Sequence, residues 1–255
     1  MAHKCILILV DGMRPDALPA CGHPFCQGFL ASGAVALRGH SVMPSVTLPC
    51  HLSLFLSAPP QRHGTLTNTY VPQVRPIKSL LQQLHDSGRA TAMFYGWEEL
   101  RDIAAPGSLG HSVFLHLGDY PDTDRRLTQQ ALDWMATAAP DFVFLYLGQT
   151  DIAGHDHGWM GPQYLDAVAT AWGCIQQVAD ATKDGYDLIV TADHGGHARC
   201  HGEDCPEDMD IPLLLRTHLP LAPGVTDGSL LDIAPTVCRL LEVPAPRDWE
   251  GASLV

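Results

Sequence analysis

The sequence predicts an α/β fold, a single domain with a mostly parallel central sheet and helices on both faces. Three observations predict it. Short strand-like apolar runs recur at 5–10, 90–95, 141–147, 187–191 and 211–215. Segments of helical spacing at 78–87, 124–138, 163–182 and 230–241 lie between them, the alternation expected of a parallel sheet covered on both sides. Acids stand just beyond three of the runs: Asp11 after Val10, Asp151 after Leu147-Gly148, and Asp193 after Thr191. The carboxyl ends of parallel strands are where open α/β sheets bind ligands.

Taken in order, the first run, Cys5–Val10, has only six apolar residues, ends in an acid and lacks a small-residue cleavage site. It reads as a buried strand rather than a signal peptide. Asp122-Thr123-Asp124 is an acidic helix start, and Gly88 and Gly185 stand just past two helix ends. The richest loops fall at 44–51, 57–76 and 148–161, with no repeat, low-complexity tract or long linker. One domain over 1–255 is the simplest account.

Apolar residues make up 46% of the 255 and charged ones 17%, which marks a globular chain able to bury a sizeable core. The net charge of −13 argues against a nucleic-acid polymer as partner. It also disfavours anionic substrates unless bound cations reverse the sign locally. No stretch is long enough to span a membrane. The eight cysteines are scattered through a chain too large to need a disulfide framework, which points to a reduced, cytoplasmic setting with a Cys200–Cys205 pair left open.

Three constellations carry chemistry. Asp193-His194-Gly195-Gly196-His197 follows the 187–191 run, with Cys200-His201-Gly202 behind it. Carboxylate oxygen and imidazole nitrogen suit zinc or a similar divalent ion. Adjacent Asp193 and His194 reach one ion only if the chain turns between them, which the two glycines favour; His197 and His201 compete as a further ligand. Asp151 and His155 stand four apart, on one face of a helix or brought together in a Gly154/Gly158 loop, with His157 farther out. Pro44-Ser45-Val46-Thr47-Leu48-Pro49-Cys50-His51 precedes an apolar helix at 52–56, so Thr47 falls at or before a helix N-terminus, where backbone N–H groups favour an anion. Ser45 and Cys50 are the neighbouring alternatives to Thr47 as nucleophile.

These residues carry a resemblance. Val10-Asp11-Gly12-Met13-Arg14-Pro15-Asp16, Pro44–Thr47, His63-Gly64-Thr65-Leu66-Thr67-Asn68, Thr150–His155 and Ala192–His197 occur in the order found in the alkaline phosphatase superfamily. The chain most resembles its type I phosphodiesterase/nucleotide pyrophosphatase branch, and is similar to phosphonoacetate hydrolase. Leu231–Thr236 with Gly251–Leu254 looks like the usual end of that domain. The resemblance implies two zinc ions per chain, with manganese as the alternative. One would be held by Asp151, His155 and His201, the other by Asp11, Asp193, His194 and the Thr47 oxygen. His201 takes precedence over His197 because Arg199–Gly202, leading into Pro206–Met209, looks like the family's third-ligand segment.

It further implies hydrolysis of phosphodiester or pyrophosphate bonds of a small molecule through a phosphothreonine on Thr47, with Asn68 contacting a phosphoryl oxygen. Two dications, three carboxylates and a Thr47 alkoxide leave such a site near neutral, which suits a diester monoanion better than a monoester dianion. Arg14 is expected to have a structural role beside Asp16, while Arg62, Arg75, Lys78 and Arg199 are the spare cations. Branch members are commonly longer, so an open pocket is expected. The alternatives are a phosphomonoesterase or C–P hydrolase with the same site, a mononuclear zinc hydrolase, and a non-catalytic metal-binding interaction domain.

Overall fold

The computed structural model describes residues 3–31, 34–183 and 185–255. Its strands are β1 (Lys4–Val10), β2 (Val35–His40), β3 (Thr91–Tyr95), β4 (His111–Phe114), β5 (Phe142–Leu147), β6 (Tyr186–Thr191), β7 (Asp210–Arg216) and β8 (Asp227–Ser229). The helices are α1 (Ala17–Ala20), α2 (Pro24–Ala31), α3 (Thr47–Leu56), α4 (Pro60–His63), α5 (Leu80–Asp86), α6 (Thr123–Ala138), α7 (Gln149–His157), α8 (Pro162–Ala181), α9 (Pro206–Met209) and α10 (Ile233–Leu240).

The strands form one sheet in the order β4-β3-β5-β1-β6-β7-β2-β8. Only β7 runs against the rest, pairing antiparallel with both β6 and β2. Continuous apolar runs put β1, β5 and β6 side by side at the centre, where every residue from Cys5 to Val10 and from Phe142 to Leu147 is buried. Both faces are covered. Phe94 of β3 meets Trp134 of α6, whereas Phe144 of β5 meets Phe55 of α3 edge-on. Because Phe94 registers with Leu145 and Met93 with Phe144, those contacts lie on opposite faces of the sheet.

All five expected strands are present. β2, β4 and β8 were not legible, since they are short or carry polar residues such as Arg38, His111 and Asp227. All three expected loops are corrected. Thr47 already begins α3, within the 44–51 stretch, α4 occupies the start of 57–76, and α7 fills most of 148–161. Gly154 reads as a turn signal, yet it lies inside α7, where glycine is needed because an added Cβ would come within 2.6 Å of the Trp159 ring. The helix expected over 230–241 begins instead as a 3₁₀ turn, Leu230–Asp232, whose Ser229 and Asp232 form a capping box.

Candidate metal centre and nucleophile

The three central strands end side by side, and each hands over one acid. Asp11 leaves β1 through a turn at Gly12, whose φ of +67° needs a residue without a side chain. Asp193 follows β6, and Asp151 sits in the first turn of α7. Thr47 is the first residue of α3, preceded by extended Val46, so its N–H has no acceptor within the helix. The Thr47 hydroxyl lies 3.2 Å from His194 Nε2. The other two hydroxyl or thiol candidates point elsewhere. Ser45 Oγ donates to the Glu203 carbonyl, and Cys50 is fully buried beside Ser41 with its thiol pKa pushed up by burial.

Each carboxylate spends one oxygen on structure or solvent and keeps the other bare toward the site. Asp11 Oδ2 accepts the Tyr146 hydroxyl at 2.5 Å, and Asp193 Oδ1 accepts the Gly12 N–H at 3.2 Å. Asp11 Oδ1, Asp151 Oδ1 and Asp193 Oδ2 are buried with no hydrogen-bond partner. The imidazoles mirror this. His155, His194 and His201 place Nδ1 at 3.0, 2.8 and 2.8 Å from the carbonyls of Arg199, Gly195 and Ser45, which can only accept. Each ring therefore carries its proton on Nδ1 and presents a bare Nε2.

Bare nitrogens face bare oxygens. His194 Nε2 is 3.4 Å from Asp11 Oδ1 and 3.3 Å from Asp193 Oδ2; Asp151 Oδ1 is 3.5 Å from His155 Nε2 and 3.8 Å from His201 Nε2. Ligand-grade atoms of Asp11, Asp193 and His194 lie within 4.8 Å of one another, as do those of Asp151, His194 and His201. Lone pairs aimed at lone pairs in a buried site repel unless a cation stands between them. The chain's own electrostatics agree: burial, then Asp193 and Asp151, holds the Asp11 carboxyl well above the usual range, and burial also raises Asp193. Burial holds the His194 and His201 pKa values down. The donor set fits divalent cations.

All the expected residues meet here, with Asn68 at the rim. Its Oδ1 accepts the Leu48 N–H at 3.0 Å, which leaves its amide N–H₂ for a ligand. The cleft, about 300 Å³, has Asp11, Thr47, Asn68, Asp151, His155 and His201 on its floor and Trp97, His116, Leu117 and Tyr146 along its wall. A hollow of about 360 Å³ behind α7, where His157 points, is separate. His197 is tied to Asp208 at 2.8 Å. Among the described residues no Lys or Arg lines the cleft: Arg14 grips Asp16 and the Gly196 carbonyl, Arg62 pairs with Glu250, and Lys78 with Asp86. All eight cysteines are free, so Cys200 and Cys205 are unpaired.

The glycines act differently from expectation. Neither Gly195 nor Gly196 has a positive φ. They permit close approach instead: an added Cβ would meet the Glu207 carbonyl at 2.0 Å and the Trp159 ring at 2.2 Å. Their N–H groups donate to Asp208 and Glu207 carbonyls, which folds the loop back on itself and brings His201 over the site. Three site residues escaped sequence reasoning. Tyr146, a hydroxyl inside a buried strand, needed a partner and finds Asp11. His51 packs at 3.5 Å from Asp193 Oδ2, and Trp159 stacks edge-on to His155.

The family model for type I phosphodiesterase / nucleotide pyrophosphatase matches residues 5–210. The chain belongs to that family. Within the type I phosphodiesterase / nucleotide pyrophosphatase family, it is 26% identical over 215 residues to ectonucleotide pyrophosphatase/phosphodiesterase family member 1 of Rattus norvegicus, covering 74% of this chain and 24% of that protein. It is also 36% identical over 115 residues to 2,3-bisphosphoglycerate-independent phosphoglycerate mutase of Laribacter hongkongensis, covering 41% of this chain and 22% of that one. The chain thus spans about a quarter of the length of these curated relatives. Human ectonucleotide pyrophosphatase / phosphodiesterase 5 shares the fold with a TM-score of 0.77 at 14% identity, over 98% of this chain and 97% of that one. Phosphonoacetate hydrolase from Sinorhizobium meliloti 1021, in complex with phosphonoformate, does so at 0.61 and 19%, over 76% and 56%. No helix among the described residues is long and apolar enough to cross a membrane.

Proposed function

We propose that this chain hydrolyses phosphodiester or pyrophosphate bonds of small molecules, with Thr47 as nucleophile and two divalent cations, zinc by preference, as cofactors. Asp11, Asp193, His194 and the Thr47 oxygen would hold one ion, and Asp151, His155 and His201 the other. The observation that carries the reading is the set of three buried, partnerless carboxylate oxygens facing bare imidazole nitrogens beside the Thr47 hydroxyl. When bound, the ions would supply Lewis acidity, lowering the hydroxyl's pKa and offsetting charge on the phosphoryl oxygens.

The chain's own residues do the rest. Thr47 Oγ1 attacks phosphorus in line with the departing oxygen, forming a phosphothreonine and releasing the first product. The Thr47 N–H at the start of α3 and the Asn68 amide N–H₂ hold a non-bridging oxygen as charge develops on it. Water then attacks the same phosphorus from the side the leaving group vacated and restores the threonine. Trp97, Leu117 and Tyr146 supply an apolar wall for the organic part of the substrate, and the absence of Lys or Arg from the cleft suits a monoanionic diester.

Replacing Thr47 tests the nucleophile. Thr47→Ala should lower kcat/KM for bis-(p-nitrophenyl) phosphate on the order of 10⁴-fold or more while Asp11, Asp193 and His194 still keep the ion bound. Unchanged turnover would reject Thr47 as nucleophile, and turnover lost only together with the metal would reduce Thr47 to a ligand.

A further inference from the structure

We propose a third cation site, distinct from the pair beside Thr47, formed by His197 Nδ1, Cys205 Sγ and Asp208 Oδ1. Ligand-grade atoms of these three residues lie within 4.8 Å of one another. His197 Nδ1 stands 2.8 Å from Asp208 Oδ1 and 3.9 Å from Cys205 Sγ. An ion bound about 2.0 Å from nitrogen and oxygen and about 2.3 Å from a thiolate sets such ligands roughly 3–3.7 Å apart, so small side-chain shifts complete the set.

Burial and chemistry favour a borderline-soft ion. Asp208 is fully buried; its Oδ2 accepts the Glu203 N–H at 2.9 Å, which fixes the carboxylate and aims Oδ1 at His197. The thiol, imidazole and carboxylate together match zinc or cobalt rather than magnesium or calcium, which take oxygen. Binding sends the Cys205 thiol proton and the His197 Nδ1 proton to solvent. One face of the site stays open, because His197 is about a third exposed (31%).

The placement gives the ion a structural task. His197 lies on the limb leaving Asp193-His194, while Cys205 and Asp208 lie on the returning limb at and within α9. His201 is between them, its Nδ1 on the Ser45 carbonyl. A cation at His197, Cys205 and Asp208 would clamp the two limbs and so keep His201 over the cleft. Cys200 Sγ, at 3.5 Å from Nε2, is on the other edge of the ring and outside the set.

Cobalt(II) is the probe, because the residues assigned beside Thr47 include no sulfur. Titrating the metal-free full chain with cobalt should produce a near-ultraviolet thiolate-to-cobalt charge-transfer band, with equilibrium dialysis reaching three ions per chain. Cys205→Ser, a favourable residue at the α9 N-cap, should abolish the band and lower the count by one, whereas Cys200→Ser should leave both unchanged. A band that is absent, or that persists in Cys205→Ser, would overturn the site, as would its loss in Cys200→Ser. A band in a Thr47→Ala chain that keeps full turnover would keep this site while rejecting Thr47 as the nucleophile.

Discussion

Tyr146 shows what one buried hydroxyl does at the residue scale. It sits among phenylalanines and leucines in β5, almost wholly buried at the cleft wall, and its O–H reaches Asp11 Oδ2. Donation to that oxygen holds the carboxylate so that Oδ1 faces His194. Such outer contacts tune metal affinity, so Tyr146→Phe should weaken cation binding about 10–100-fold while the ring keeps its packing. Isothermal titration with zinc would measure it, and unchanged affinity would show that Asp11 is oriented without the hydroxyl. The ligand-type residues were readable from sequence because their chemistry is local: acid, histidine and threonine in short ordered segments. Tyr146, His51 and Trp159 were not, because their importance comes from contacts 135 residues away in the case of Tyr146, and from packing across elements for the others.

At the scale of elements, α7 is held at its beginning rather than by its own sequence. Asp124, fully buried in α6, accepts the Gly148 N–H at 2.9 Å and the Gln149 N–H at 3.3 Å, binding the start of the helix that carries Asp151 and His155. Burial raises the Asp124 carboxyl to about 7, and those two N–H groups pull in the opposite sense. A folded pKa above the unfolded value near 3.8 makes the stabilising contribution of the neutral acid complete below pH 3.8 and lost as pH rises through about 7. Asp124→Asn cannot ionise. Its stability relative to the parent should therefore rise between pH 4 and 8, by at most about 4 kcal/mol, in urea unfolding of the metal-free chain. A difference that stays flat with pH would contradict this.

The same elements show where sequence reading stops. Apolar runs announced the central strands because burial on both faces leaves no room for polar residues. The polar β4 and three-residue β8 carry no such mark, and they gain their hydrogen bonds only from neighbours already in place. Gly154 and Gly158 read as a loop, since their need for Trp159 or a C-cap is visible only once the chain has folded.

For the whole molecule, charge and cleft point the same way. A chain of net charge −13 whose cleft, among the described residues, is lined by no Lys or Arg offers little to a phosphomonoester dianion beyond the proposed cations. In zinc, kcat/KM should rank bis-(p-nitrophenyl) phosphate above p-nitrophenyl phosphate and phosphonoacetate, by about 10-fold or more. A dominant monoester rate would reverse the order and make the phosphomonoesterase reading the stronger one; a dominant phosphonoacetate rate would favour C–P hydrolysis.

The covalent step through Thr47 is tested most directly by the stereochemical course at phosphorus. Hydrolysis of a chiral phosphorothioate diester in isotopically labelled water should proceed with overall retention, because two in-line displacements, first by Thr47 and then by water, each invert the centre. Net inversion would mean a single displacement by water and would contradict a phosphothreonine intermediate.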